Sequence, residues 1–235
     1  MKLGIMQPYF IPYIGYYQLI NYVDKWVVFD IVQYIRHGWI NRNRILKPGE
    51  GWQYIVVPLK NHRRETLIKD VFISEKTDWK DRIFRQMEHY KKKAPYYSRV
   101  RELLEKSIFT EETNISVLNT KLLKKTCKYL SINFDYSVFS EINLKIGPIS
   151  HAGEWALRIS EALNASEYVN PYRGSDIFNK KQFDEANIDL KFLKPNLKEY
   201  NQRRNSFESG LSIIDLMMFN SPNEIKNFLN DYSII

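Results

Sequence analysis

Short apolar runs and one kinked, aromatic segment alternate over residues 1–30. Residues 2–6 form an apolar run of strand length, and residues 25–30 form a second run that is rich in aromatic and β-branched side chains. Between them a helix is predicted over residues 12–21, because proline is favoured in a first turn and the large side chains recur on one side. Strand, helix and strand in this order predict a βαβ unit. The segment MQPYFIPYIGYY then lies at the carboxyl end of the first strand, where open α/β sheets bind ligands.

Helices are predicted mainly in the later part of the chain. Asp78 is placed to cap a helix that runs to about residue 90, Ser150 is placed to cap another, and the apolar spacing at residues 115–129 predicts a longer one. Two capping-box patterns near the end of the chain predict two more helix starts, namely Ser212-x-x-Asp215 and Ser221-Pro222-x-Glu224.

Strands are expected after the βαβ unit as well. The apolar or alternating runs that indicate them are residues 52–58, 67–73 and 132–136. No repeat or low-complexity linker divides the chain. We therefore expect one α/β domain over residues 1–235, with an amino-terminal βαβ (Rossmann-like) sheet at about residues 1–75 and a more helical carboxyl-terminal part at about residues 76–235.

A polar segment, DIVQYIRHGWINRNR at residues 30–44, follows the second predicted strand. Its Asn-Arg-Asn-Arg run offers amide and guanidinium groups, which bind carboxylates, phosphates and hydroxyls. His37 is suited to take up a proton near neutral pH, and Asp30 is suited to orient it or to act alone. A solvated loop with a turn at Gly38 is the alternative. A site is favoured because this segment and the aromatic segment are predicted at the same sheet edge.

Composition and charge narrow the class of protein. Hydrophobic residues make up 44% of the chain and charged residues 26%, as in soluble globular proteins. No stretch is long and apolar enough to span a bilayer, and the start of the chain lacks a signal-peptide pattern, so we expect a cytoplasmic protein. The net charge of +8 is scattered along the chain and suits an anionic partner such as nucleic acid, a phosphorylated small molecule or an acidic carrier protein.

Several chemistries lack their sequence patterns here. There is no G-x-G-x-x-G and no Walker-type phosphate loop. One cysteine and four dispersed histidines provide no zinc-ligand pair, so we expect no metal. Cys127 lies on an apolar helical stripe and is expected to be a buried structural thiol. Ser212 and Asp215 are explained by helix capping, although a helix amino terminus also attracts anions.

Five segments of the sequence resemble the WbqC-like family. They are MQPYFIPYIGYYQLI at the start, D-x-V-Q-Y at residues 30–34, W-I-N-R-N-R at 39–44, APYY at 94–97 and F-x-x-x-L-S-I-I-D-L at 207–216. The family is associated with bacterial O-antigen and other surface-polysaccharide gene clusters. Some members are proposed to transfer an amino acid, glycine in particular, onto an amino sugar.

The resemblance implies an acyl transfer in which a sugar amine attacks an activated glycyl carbonyl. No catalytic residues are carried over from the family, so the roles are hypotheses from the residues themselves. His37 or Asp30 is the expected base, since a protonated amine cannot attack. Asn41 or Asn43 is the expected donor to the tetrahedral oxyanion.

The expected substrate-binding residues are of three kinds. Some carry rings that stack on a base or sugar, some carry guanidinium groups that bind a diphosphate, and some carry polar groups that hold hydroxyls. They are Gln7, Tyr9, Tyr13, Gln33, Trp39, Arg42, Arg44, Ser212 and Asp215. The implied partners are a nucleotide-linked amino sugar and an acyl or peptidyl carrier protein. No tightly bound cofactor is expected, and a phosphopantetheine-linked aminoacyl group is one form that the donor can take.

Two other classes of function stay open at this point. A non-catalytic subunit that docks an acidic carrier would show the same basic surface. A nucleic-acid-binding module would also combine rings and arginines, but it is disfavoured because these residues cluster at one predicted sheet edge and do not form a long stripe.

Overall fold

Eight strands and eight helices make up the computed structural model of the chain, which describes all 235 residues. In chain order they are β1 (Lys2–Met6), α1 (Ile14–Tyr22), β2 (Lys25–Val28), β3 (Arg42–Leu46), β4 (Trp52–Val56), α2 (Trp79–Met87), α3 (Tyr97–Ile108), α4 (Ile115–Tyr129), β5 (Tyr136–Val138), α5 (Glu154–Ala162), β6 (Glu167–Pro171), α6 (Lys180–Glu185), β7 (Asp189–Pro195), α7 (Ile213–Phe219), α8 (Pro222–Leu229) and β8 (Tyr232–Ile234). Short 3-10 turns occur at Ile68–Asp70, Glu88–Tyr90, Phe139–Glu141 and Tyr172–Ile177.

Six of the strands form one sheet in the order β5-β2-β1-β6-β7-β8. All neighbouring pairs are parallel except β7 and β8, which are antiparallel. The predicted α/β fold and its amino-terminal βαβ unit are confirmed, since β1 and β2 pair in parallel around α1. From β1 the chain first builds the sheet towards β2 and β5, and it then crosses to the other side for β6. The crevice between the carboxyl ends of β1 and β6 is therefore the topological switch point, the usual ligand position in such sheets.

The predicted amino-terminal and carboxyl-terminal parts share this sheet. The first part supplies β1 and β2, and it also supplies the separate antiparallel hairpin of β3 and β4. The later, helix-rich part supplies β5, β6, β7 and β8. The switch point is consequently built from both ends of the chain.

Alternate residues of the central strands enter two cores, one on each face of the sheet. Leu3, Ile5 and Val27 pack against α5 and α6 in a cluster of ten buried residues. Trp26 faces the other way, into a cluster of 44 buried residues that extends through the β3–β4 hairpin and most of the other helices. Gly4 leaves space for that indole ring, because a Cβ at Gly4 would lie 2.8 Å from it. The sheet is thus covered on both faces, as a parallel sheet requires.

One predicted strand is wrong. Residues 67–73 contain the 3-10 turn Ile68–Asp70 and only isolated bridges, which join Gln33 to Leu67, Leu59 to Ile73 and Phe72 to Asn114. The backbone here donates to the loop after β2, with Ile68 N 2.9 Å from Val32 O. This apolar run packs across the loop after β2, and it adds no strand to either sheet.

Two predicted element starts and one predicted cap also differ from the structure. The strand expected at 132–136 is instead β5, because the residues that pair in register with β2 are Tyr136 to Val138. The helix expected after Ser150 begins at Glu154, and Ser150 donates its Oγ to the Glu154 carboxylate over 2.7 Å. Asp78 does precede α2, but its carboxylate binds Arg85 and does not cap the helix. The Ser221 capping box and the buried position of Cys127 are as predicted.

Candidate functional site

The aromatic segment after β1 is held in a kinked shape by buried polar side chains. Ile11 has a left-handed backbone with a φ of 40°, a conformation that costs a β-branched residue free energy. Asn43 Nδ2 donates to the carbonyls of Phe10 and Ile11, both over 2.9 Å. Ser212 Oγ donates to the same Ile11 carbonyl over 2.7 Å. These bonds satisfy carbonyls that no strand or helix satisfies, and they fix the turn.

A third buried side chain joins this turn to the segment after β2. Asn119 of α4 donates to Pro8 O over 2.8 Å and to Ile40 O over 2.7 Å. Next to it, the Phe10 amide donates to Trp39 O over 2.8 Å. The two segments that the sequence analysis placed at one sheet edge are therefore in direct contact.

The switch point itself brings together rings from the β1 side and cations from the β6 side. Tyr9 and Tyr13 are partly buried there, and burial raises the pKa of each phenol. The charge of Arg173, which follows β6, acts on Tyr13 and offsets part of that increase in its pKa. Lys194 Nζ lies 5.5 Å from the centre of the Tyr172 ring. The edge thus offers aromatic faces beside exposed positive charge.

Arg173 and Tyr172 were missed by the sequence analysis. Both lie in the 3-10 turn that follows β6, and Arg173 is exposed. The usable signal was their position after a strand, but the β6 sequence EYVNP has too few apolar residues to predict one. A strand recognised there would have pointed to the residues that follow it, as it did for β1.

Asp30 does not orient His37, contrary to the sequence-based expectation. Its carboxylate is 2% exposed and accepts hydrogen bonds from Ser140, whose Oγ lies 2.6 Å and whose N lies 3.1 Å from it. Ser140 follows β5, so Asp30 ties the ends of β2 and β5 together. His37 has a φ of 63° and an exposed side chain that makes no hydrogen bond with the protein.

Most other polar groups of the segment donate to backbone carbonyls of the protein, within the segment or next to it. Arg42 donates its guanidinium to the carbonyls of His37 and Gly38. Asn41 donates to Val57 O over 2.9 Å and accepts from the Tyr34 hydroxyl, which leaves it one amide hydrogen. The Gln33 amide donates to Arg64 O over 2.8 Å.

The Asn-Arg-Asn-Arg run lies largely in β3, so its side chains alternate between two faces. Arg44 lies on the opposite face from Asn43 and is half-buried, and its guanidinium donates to Gly210 O over 3.1 Å. Its guanidinium carbon lies 5.5 Å from the Trp39 ring centre and 5.1 Å from that of Trp52. These two indoles are 38% and 37% exposed. Asn43 points inward and is 3% exposed. The amides and guanidinium groups therefore do not converge on one ligand as the sequence suggested.

Two expected site residues are instead parts of the support. Asn43 uses both amide hydrogens on the backbone of the aromatic turn, so it has none to offer an oxyanion. Ser212 caps α7, is 1% exposed, and binds Ile11 O. The expectations of an oxyanion donor at Asn43 and a substrate contact at Ser212 are therefore wrong. The carboxyl-terminal motif does contact the amino-terminal turn, but it does so through the buried Ser212 side chain and not at the exposed edge.

Asp215 is also a support residue and not a substrate contact. It is fully buried at 0% exposure. Its carboxylate accepts from the hydroxyls of Tyr90 and Tyr200 over 2.7 Å and 2.5 Å, and from Gln202 Nε2 over 2.8 Å. Burial raises the pKa of Asp215, and these three hydrogen bonds offset only part of the increase. Asp215 therefore fixes the positions of three polar side chains from different parts of the chain.

Replacing Asp215 with asparagine is expected to lower the free energy of unfolding by about 2 kcal/mol at neutral pH, because the amide presents a donor to groups that already donate. Since folding raises the pKa of this carboxyl above 3.8, its titration stabilises the fold at low pH and that contribution is lost as the pH rises. The destabilisation by Asp215→Asn should therefore be larger near pH 4 than near pH 7. Urea unfolding at both values measures it. Asp176→Asn, on the surface, is the control, and a cost that grows towards neutral pH would contradict the assignment.

The structure contains no arrangement of three or more His, Cys, Asp or Glu side chains that could hold a metal ion. No helix combines the length and the apolar character needed to cross a bilayer.

The order of the strands and the position of the switch point define an α/β protein of Rossmann-like topology. The residues at the sheet edge beside the switch point are aromatic and basic. The chain belongs to the WbqC-like protein family, whose sequence profile matches residues 7–227. It is similar to a protein of Mycobacterium tuberculosis (strain ATCC 25618 / H37Rv) that is named Uncharacterized protein Rv1507c, with 32% identity over 232 residues and 97% of each chain covered. No solved structure matches it. The family resemblance found in the sequence is confirmed.

Proposed function

We propose that the protein is a transferase that acylates the amine of a nucleotide-linked amino sugar with an activated amino acid, with glycine as the expected acyl group, in the biosynthesis of O-antigen or another surface polysaccharide. The observation that carries the proposal is that Tyr13, which follows β1, and Arg173, which follows β6, both lie at the switch point, where the charge of Arg173 acts to lower the pKa of Tyr13. Open α/β sheets bind nucleotides at this position. The WbqC-like family supplies the substrate class.

Each part of a nucleotide-linked sugar has a suitable group at this edge. The phenol rings of Tyr9 and Tyr13 are partly exposed and can stack on a base or a sugar ring. The exposed guanidinium of Arg173 suits a diphosphate, which it can bind with two parallel hydrogen bonds. Gln7 is half-buried, and its side chain is free to hold a hydroxyl. Arg173 thus takes the diphosphate-binding role that the sequence suggested for Arg42 and Arg44.

The proposed step is attack of the sugar amine on an aminoacyl thioester. His37 removes one proton from the ammonium group, and the neutral amine forms a carbon–nitrogen bond with the glycyl carbonyl. The carbon–sulfur bond then breaks, and the departing thiolate takes up the second amine proton, which leaves an amide and a free thiol. The free amide hydrogen of Asn41 is the donor proposed for the oxyanion. The thioester is proposed to be carried on phosphopantetheine by an acyl or peptidyl carrier protein.

Mass spectrometry of reactions with purified protein, a panel of nucleotide-linked amino sugars and glycyl-loaded carrier protein tests the proposal. We expect one sugar to gain the mass of one glycyl residue. Arg173→Ala should then raise KM for that sugar about tenfold with little change in kcat, because the diphosphate loses its strongest partner. Arg63→Ala, which removes an exposed arginine from another loop, is the matched control.

No mass gain on any sugar that is shown by calorimetry to bind would contradict the transferase and favour a non-catalytic, carrier-docking role. Equal KM values for Arg173→Ala and Arg63→Ala would instead place the diphosphate elsewhere on the protein.

A further inference from the structure

A cavity of about 530 Å³ lies away from the switch point. It opens between the turn that joins β3 to β4, the connection from α2 to α3, and the loop before α7. None of the switch-point residues lines it. Its volume is typical of pockets that bind small molecules. No residue with a proposed role in the acyl transfer lines this cavity.

The walls of this cavity carry an excess of positive charge. Its cationic side chains are Lys47, Lys91, Lys92, Lys93 and Arg204. The one carboxylate among its lining residues, Glu88, is already bound by Arg101 over 2.6 Å. None of the four lysines takes part in an ion pair. Like charges gathered around a cavity repel one another, and an anion in the cavity offsets that cost.

Part of the wall is rigidly positioned. Arg204 donates to the carbonyl of Gly51 over 2.9 Å and also to the carbonyl of Lys47, so its guanidinium fastens the β3–β4 turn to the loop before α7. Gln202 is held by Asp215 and by the backbone of Glu208. These bonds fix the side of the cavity that the β3–β4 turn and the loop before α7 form.

We propose that this cavity binds a phosphorylated small molecule, with the phosphoryl oxygens on the lysines and Arg204. The site shares no residue with the proposed transferase site. A nucleoside diphosphate and a phosphopantetheine arm both have this chemistry, and they are the two sources that the test separates.

Titration calorimetry of the full chain carrying Arg173→Ala, which removes the proposed diphosphate partner at the switch point, tests the proposal with uridine diphosphate, 4′-phosphopantetheine and pyrophosphate. Uridine and pantetheine are the unphosphorylated controls. We expect saturable binding of the phosphorylated probes only. The double variant Lys92→Ala/Lys93→Ala should weaken it about tenfold or more. Lys180→Ala/Lys181→Ala, which removes the same charge from the surface of α6, should change it less than about threefold.

Tighter binding of uridine diphosphate would identify a nucleotide as the source, and tighter binding of 4′-phosphopantetheine would identify a carrier arm. Absence of saturable binding by all three phosphorylated probes, or equal losses in the two double-lysine variants, would overturn the proposal.

Discussion

His37→Asn should lower the turnover of glycyl transfer by about 10²- to 10⁴-fold, the usual contribution of a general base. Asparagine tolerates the left-handed backbone at this position, where φ is 63°. The His37 side chain makes no hydrogen bond with the protein, and Arg42 holds its backbone carbonyl, which the substitution keeps. Stability should therefore stay unchanged while kcat collapses. Initial rates from the mass-spectrometric assay, with thermal unfolding measured alongside, give both quantities.

The matched control for this variant is His151→Asn. His151 is also a surface histidine, with its Nε2 3.6 Å from Glu154, and it lies before α5. Its substitution should leave turnover within about twofold of the wild-type value. Turnover of His37→Asn within a few-fold of wild type would show that another group accepts the proton.

Asn43→Ala should lower the free energy of unfolding by about 4 kcal/mol, because two buried backbone groups lose their Asn43 partner at a cost of about 1–3 kcal/mol each. They are the carbonyl of Phe10 and the amide of Arg44, which donates to Asn43 Oδ1 over 2.8 Å. The Ile11 carbonyl loses one of its two donors and keeps Ser212. For a chain of this size that corresponds to a fall in Tm of roughly 8–16 °C. Urea unfolding and differential scanning calorimetry measure the two values.

Asn61→Ala is the control for that loss, since Asn61 is exposed and makes no side-chain hydrogen bond. It should change the free energy of unfolding by no more than about 0.5 kcal/mol. A cost below about 1 kcal/mol for Asn43→Ala would mean that water or neighbouring groups satisfy the aromatic turn without the amide.

Local sequence patterns were enough to predict the elements whose stability is local. The helix Ile115–Tyr129 was predicted with its observed bounds, because its apolar stripe is regular and Asn114 caps it. The βαβ unit was predicted from two apolar strands and a proline at a helix start. Parallel strands β6 and β7 were not predicted, since they pair with residues far away in the chain and EYVNP has no alternating pattern.

The site was predicted less well, because a side chain's partners are invisible in the sequence. The Asn-Arg-Asn-Arg run looked like one polar surface, whereas the strand places Asn43 and Arg44 on opposite faces. Asp215 fits a capping pattern, but its partners Tyr90 and Tyr200 come from elsewhere in the chain. Arg173 was missed with the strand that precedes it.

Ser212 and Ile11 are 201 residues apart in the chain, yet the hydrogen bond between them closes the aromatic turn. On a ribosome the turn is made early, but Ser212, its last clamp, is synthesised 201 residues after Ile11. Contacts of such long sequence separation form late, because the entropy of a very large loop must be lost first. The ligand edge is therefore expected to be completed at the end of folding, so that nascent or truncated chains carry the aromatic residues without the shape that would let them bind a ligand.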